Sequence, residues 1–138
     1  MQQNGDSGKT GTSRKVIHTP ASAPYDAGGR RSFFAYKDFG LEEVTNGMMR
    51  AQVSTTTTGL TKSTGWHYHI CDVQFNYILK GWADLEFEDG RQIRVEAGDA
   101  LVIPGGVRHN ELRTSNDLEA LEVSVPFAMG TVPCDPPE

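Results

Sequence analysis

From Phe33 onward, apolar and polar residues alternate in short runs broken by Gly, Pro, Asp and Asn. A period of two places alternate side chains on one face of an extended chain, so each run reads as a strand with one buried face. The pattern predicts strands over 32–39, 48–55, 65–70, 73–80, 83–88, 92–95, 100–103, 108–113 and 118–125. No long segment carries a helical period. Many short strands joined by Gly and Pro turns indicate an all-β sandwich or barrel, and closing the sheet removes exposed edges.

The clearest hairpin joins Ala83-Asp84-Leu85-Glu86-Phe87 to Arg91-Gln92-Ile93-Arg94-Val95. A two-residue turn at Asp89-Gly90 would set Glu86 opposite Ile93, a charge on the core face. A three-residue loop, Glu88-Asp89-Gly90, sets Leu85 opposite Ile93 and Ala83 opposite Val95, with Gly90 in the left-handed position. The apolar pattern selects the second register.

Residues 1–30 are rich in Gly, Ser, Thr and Pro and read as a flexible N-terminal arm. Residues 31–128 form the barrel domain, and 129–138 an extended C-terminal tail that could pack on a neighbouring subunit. The length of 138 residues suits one core. A net charge of −5 argues against a nucleic-acid surface. No apolar run approaches the roughly 18 residues of a membrane span. The first residues lack the apolar stretch of a signal peptide, so a cytoplasmic location is expected. Two cysteines, Cys71 and Cys134, are too few for a disulfide framework. Gly8-Lys9-Thr10 is like the end of a phosphate loop, but Gln3 stands where that loop needs Gly, and no strand precedes it.

Candidate chemistry lies in the histidines. His67 and His69 share a face of their strand, Gln74 opens the next strand, and His109 follows a turn at Pro104-Gly105-Gly106. Three neutral imidazoles and an amide oxygen can surround a divalent ion and leave positions open. Read from spacing alone, hydrogen-bonded structural histidines explain the same residues equally well. His18, in the arm, reads as a solvated bystander.

The segment His67-Tyr68-His69, then four residues, Gln74, six residues and Gly81, resembles the first signature of the cupin superfamily. Gly98, then five residues, Pro104, one residue, Gly106, two residues and His109, resembles the second. The two stand in the family's order, 16 residues apart, and the resemblance covers roughly residues 45–125, nearest to small single-domain bacterial cupins. It implies a double-stranded β-helix, a jelly-roll-like barrel of two sheets. It also implies metal ligation by His67, His69, Gln74 and His109. The chain departs from the family's pattern in three places: Gln74 stands where Glu is usual, Thr61 where Gly is usual, and Arg113 where Asn is frequent.

A glutamine ligand cancels none of the metal's charge. Affinity should be lower than with a carboxylate, and anionic ligands should be favoured by Coulomb attraction. One divalent ion is expected, with Zn, Ni, Mn, Fe and Cu all admissible. Alternation places Asn76 and Ile78 inward with Gln74, and Asn76 is a candidate substrate contact. Glu122 shares a face with Ser124 and is either solvated or a pocket carboxylate able to act as a general base. Arg50 and Gln52 share a polar face that is either pocket or solvent, with solvent expected. Cys71 reads as a structural thiol at a turn, Arg108 as a rim residue, and Trp66 and Tyr68 as packing. The function expected is a metal-dependent enzyme acting on a small, oxygen-rich organic molecule by isomerase, lyase, cyclase or dioxygenase chemistry. The alternative is a non-catalytic small-molecule binding or sensory barrel. The partners expected are a small-molecule ligand and a second copy of the chain as a homodimer, with no nucleic acid and no membrane.

Overall fold

The computed structural model describes residues 14–27, 33–56 and 58–138. The Gly8-Lys9-Thr10 segment and the start of the first expected strand lie outside them. Ten strands form two five-stranded antiparallel sheets facing each other. The strands are β1 (Phe34–Asp38), β2 (Arg50–Thr56), β3 (His67–Ile70), β4 (Val73–Lys80) and β5 (Trp82–Phe87), followed by β6 (Gln92–Glu96), β7 (Ala100–Pro104), β8 (His109–Thr114), β9 (Glu119–Val125) and β10 (Gly130–Pro133). One sheet runs β1-β2-β9-β4-β7 and the other β10-β3-β8-β5-β6. The all-β class and the jelly-roll-like barrel follow from this order. No helix among the described residues is long and apolar enough to cross a membrane.

The hairpin register is the one the apolar pattern selects: Leu85 pairs with Ile93 and Ala83 with Val95. Gly90 takes φ +91, and its amide donates to the Phe87 carbonyl at 2.9 Å, closing the three-residue loop. Leu85, Phe87 and Val95 point inward and join Ile78, Ala83, Ile103, Leu118 and Ala120 in the apolar core.

Two elements were not expected. Leu41–Thr45 is a short helix, α1, filling the connection between β1 and β2. Its five residues are too few to show a period in sequence. Gly130–Pro133, expected to be tail, is a strand of this chain's own barrel. Thr131 pairs with His69 and Pro133 with His67, and the Cys134 amide donates to the Trp66 carbonyl at 3.0 Å. The described part of the N-terminal segment also lies on this barrel. Asp26 bridges Tyr36 on the edge strand β1, and Lys37 Nζ donates to the Ala21 carbonyl at 2.9 Å. That edge is thereby covered, which restrains sheet-to-sheet pairing.

Candidate metal centre

β3 presents His67 and His69 inward because alternate residues of a strand share a face. β8 brings His109 opposite His67 in register. The turn before β8 is held against β3 and the following turn: the Gly106 amide donates to the His69 carbonyl at 2.9 Å and the Gly105 amide to the Asp72 carbonyl at 3.1 Å. The three rings are buried, with centroids 4.5–5.2 Å apart. One nitrogen from each lies within 4.8 Å of the others, so the group can hold a metal ion. Nitrogens sharing one ion at about 2.1 Å stand roughly 3.0–3.6 Å apart, so the rings must draw together to hold it.

The other ring nitrogens of His67 and His109 fix their tautomers. His67 Nδ1 lies 2.7 Å from the Gly65 carbonyl and His109 Nδ1 lies 2.9 Å from the Val107 carbonyl. A carbonyl only accepts, so Nδ1 carries the proton and the lone pair sits on Nε2. His69 Nδ1 meets the Thr131 hydroxyl at 3.1 Å, a contact supplied by β10. Such backing groups hold imidazoles in a ligating orientation. Phe87 stacks on His109 at 6.1 Å between centroids and confines that ring.

The inner face of the other sheet carries Gln74, Asn76 and Ile78 from β4, and Glu122 and Ser124 from β9. Glu122 is buried, and both of its oxygens accept side-chain amides: Oε1 from Gln52 Nε2 at 2.7 Å and Oε2 from Gln74 Nε2. Gln52 therefore faces the interior, and the expectation of solvent at that position is corrected. Its alternation was legible, but a polar interior made the buried face look exposed. Arg50 is half-buried, with its guanidinium 4.1 Å from the centroid of the Phe127 ring. Gln74 Oε1 and Ser124 Oγ are buried and have no hydrogen-bond partner among the described residues. Buried polar atoms of this kind are costly, and Gln74 lines the cavity, so its oxygen is available to an ion or its ligands.

Glu111, two residues beyond His109 on the same face, places Oε2 at 3.6 Å from His67 Nε2. It was not among the expected site residues, although period two from His109 points to it directly. Glu122 and Asn76 line the same cavity as His69, His109, Gln74 and Glu111. Cys71 stands at the turn after β3, outside the histidine group, and its thiol is pushed up by burial and by the nearby Asp72 and Glu122 carboxylates. His18 is exposed, and Arg108 lies 3.6 Å from Glu88 at the surface.

The cavity of about 90 Å³ has two unlike ends. Along β4 it passes from Gln74 to Ile78, and along β5 from Leu85, opposite Glu111, to Ala83, opposite Val95. One end is ringed by the histidines and carboxylates. The other is walled by Ile78, Val95 and Leu118, with Leu85 beside Glu111 and Leu101 beside Asn76 between the two.

The Cupin_2 family model, described as a cupin domain, matches residues 58–125. No curated protein matches the sequence. Among solved structures, KdgF from Halomonas sp. aligns with TM-score 0.61 and 17% identity over 80% of this chain and 94% of that one. The polyketide cyclase RemF from Streptomyces resistomycificus aligns with TM-score 0.67 and 19% identity over 86% and 84%. A salicylate 1,2-dioxygenase from Pseudaminobacter salicylatoxidans aligns with TM-score 0.57 and 16% identity over 74% of this chain and 30% of that one. Likenesses at these identities establish a common fold.

Proposed function

The chain is a small cupin-domain protein, and on that premise we propose that it is a metal-dependent enzyme acting on a small organic molecule. The observation that carries this reading is the convergence of three buried imidazoles whose Nδ1 atoms are engaged by groups of the surrounding loops and strands. His67, His69 and His109 would hold the ion through Nε2, and Gln74 would add its amide oxygen. A divalent ion there supplies Lewis acidity and, if redox-active, electrons.

The chain's own residues define what binds beside it. The split cavity selects a molecule with oxygen donors at one end and a hydrocarbon body at the other. The carbon part rests on Ile78, Leu85 and Val95, which exclude water, while Asn76 orients the polar end. Glu111 Oε2, partly open to solvent and beside the histidines, is placed to take or return a proton. Both oxygens of Glu122 are engaged by side-chain amides. Isomerase, lyase or cyclase chemistry through an enolised substrate suits this arrangement, and dioxygenation suits it if the ion is iron. Dimerisation belongs to the same reading: Tyr77, Leu79 and Val102 are exposed on the outer face of the β4–β7 sheet.

The test has two steps. Protein purified without added metal is assayed for metal content, with about one ion per chain expected. Hydroxy and keto acids, phenols and enolisable ketones are then incubated with it, with and without chelator and dioxygen. Chelator-sensitive turnover supports the enzyme. Binding without turnover across that set would favour a sensory barrel, and absence of metal would remove the proposal.

A further inference from the structure

Gln74 is neutral, and it is hydrogen-bonded to the buried carboxylate of Glu122. Glu122 lies on the neighbouring strand, one pair along: Gln74 is in register with Ser124, and Asn76 with Glu122. Its carboxylate receives Gln52 Nε2 at 2.7 Å on one oxygen and Gln74 Nε2 on the other. Two amide donors, one on each oxygen, are the partners an ionised carboxylate requires.

An ionised carboxylate accepts and never donates, so it discriminates between the two ends of a side-chain amide. Turning Gln74 over would set its oxygen against the Glu122 oxygen, two acceptors in contact. The nitrogen therefore stays on Glu122, and Oε1 is the atom left to the cavity. That is the atom found buried without a hydrogen-bond partner. We infer that Glu122 is a positioning residue: it locks the Gln74 amide with its oxygen toward the three histidines, and it supplies from the outer shell the negative charge that a glutamate ligand would have carried. Gln52 completes the arrangement by occupying the second oxygen. This assignment rests on the reading of Gln74 as a ligand.

A reciprocal exchange follows from the geometry. Gln74→Glu alone sets two carboxylates against each other and should bind metal no better than the native protein. Gln74→Glu combined with Glu122→Gln rebuilds the hydrogen bond with its ends reversed. The amide introduced at position 122 then donates to the carboxylate introduced at position 74 and still accepts from Gln52, and the charge moves onto the ligand.

The experiment is a zinc titration against a chromogenic chelator on the native protein, E122Q, Q74E and the double variant. Thermal unfolding of each metal-free protein is followed in parallel. Glu122→Gln should weaken zinc binding about 10- to 100-fold, the span typical of groups that orient metal ligands. The double variant should return to within about threefold of the native affinity or exceed it, with a native-like melting temperature. Native affinity in E122Q would overturn the assignment. So would failure of the double variant to recover zinc binding while it remains folded, because Glu122 would then be serving the fold alone. If the native protein binds no zinc, or binds it equally after His67→Ala/His109→Ala, the metal centre itself fails and this inference with it.

Discussion

Replacing Gly105 by alanine would place a methyl carbon 1.7 Å from the carbonyl oxygen of Cys71 and 2.8 Å from its carbonyl carbon. Real contacts of that kind essentially never fall below 3.0 Å, so one backbone must retreat by about 1.3 Å. Neither side yields easily, because both are main chain rather than the end of a flexible side chain. The two hydrogen bonds that hold this turn, Gly105 N to Asp72 O and Gly106 N to His69 O, are the first to be lost. Each contributes about 0.5–1.5 kcal/mol, and overpacking adds about 1–3 kcal/mol, giving a loss of about 2–6 kcal/mol. Against a typical domain stability of about 5–15 kcal/mol that is large but survivable. The melting temperature should fall by roughly 7–20 °C. His109 follows Gly106 by three residues, so the ring moves with the turn and zinc affinity should fall too. Gly130→Ala is the control: its methyl would meet Ile70 at ordinary distances of 3.6–3.8 Å. Thermal unfolding and zinc titration of the three proteins decide the matter. A G105A protein melting within about 2 °C of native, with unchanged zinc affinity, would refute the claim that this contact sets the spacing of β3 and β8.

Other outcomes follow from the same geometry. The double variant His67→Ala/His109→Ala should be isolated without metal, as read by elemental analysis, because one imidazole and an amide cannot retain a divalent ion. Thr131→Val removes the hydroxyl 3.1 Å from His69 Nδ1 and should weaken zinc binding by about tenfold, with the melting temperature little changed. Arg94 and Arg113 hold the Asp84 carboxyl below the usual carboxylate range, the Arg94 hydrogen bond being the main cause. That stabilisation is complete above the unfolded-state value and is lost as pH falls through the lower folded-state value. Asp84→Asn should therefore cost about 1 kcal/mol at neutral pH, and the variant and native curves should converge in acid, as urea titration at several pH values would show. Light scattering should give a dimer mass, and Val102→Lys, on the exposed outer face, should shift it toward monomer.

What the chain declares in advance is its periodicity. Leu85 opposite Ile93 was legible because the competing register would have buried Glu86. The pairing of His67 with His69 on one face needed only the two-residue repeat of a strand. Periodicity names a face without saying which side is interior, and that is where the reading of Gln52 went astray. Polar residues on an inner face mimic solvent exposure unless the buried partner, here Glu122, is also in view. Glu111 was equally available by its spacing from His109, yet nothing local distinguishes a cavity carboxylate from a surface one. β10 was invisible for another reason. Its residues include Gly130 and Pro133, and what makes them a strand is β3, distant in sequence.

The contact between Thr131 and His69 spans 62 residues, which gives the protein a biosynthetic order. A ribosome adding about 5–20 residues per second takes roughly 3–12 s to travel from one to the other. During that interval the nascent polypeptide already displays its histidine pair, but the hydroxyl that steadies His69 has yet to be translated. A chain that stalls before residue 131 therefore leaves the ribosome with His69 unbraced.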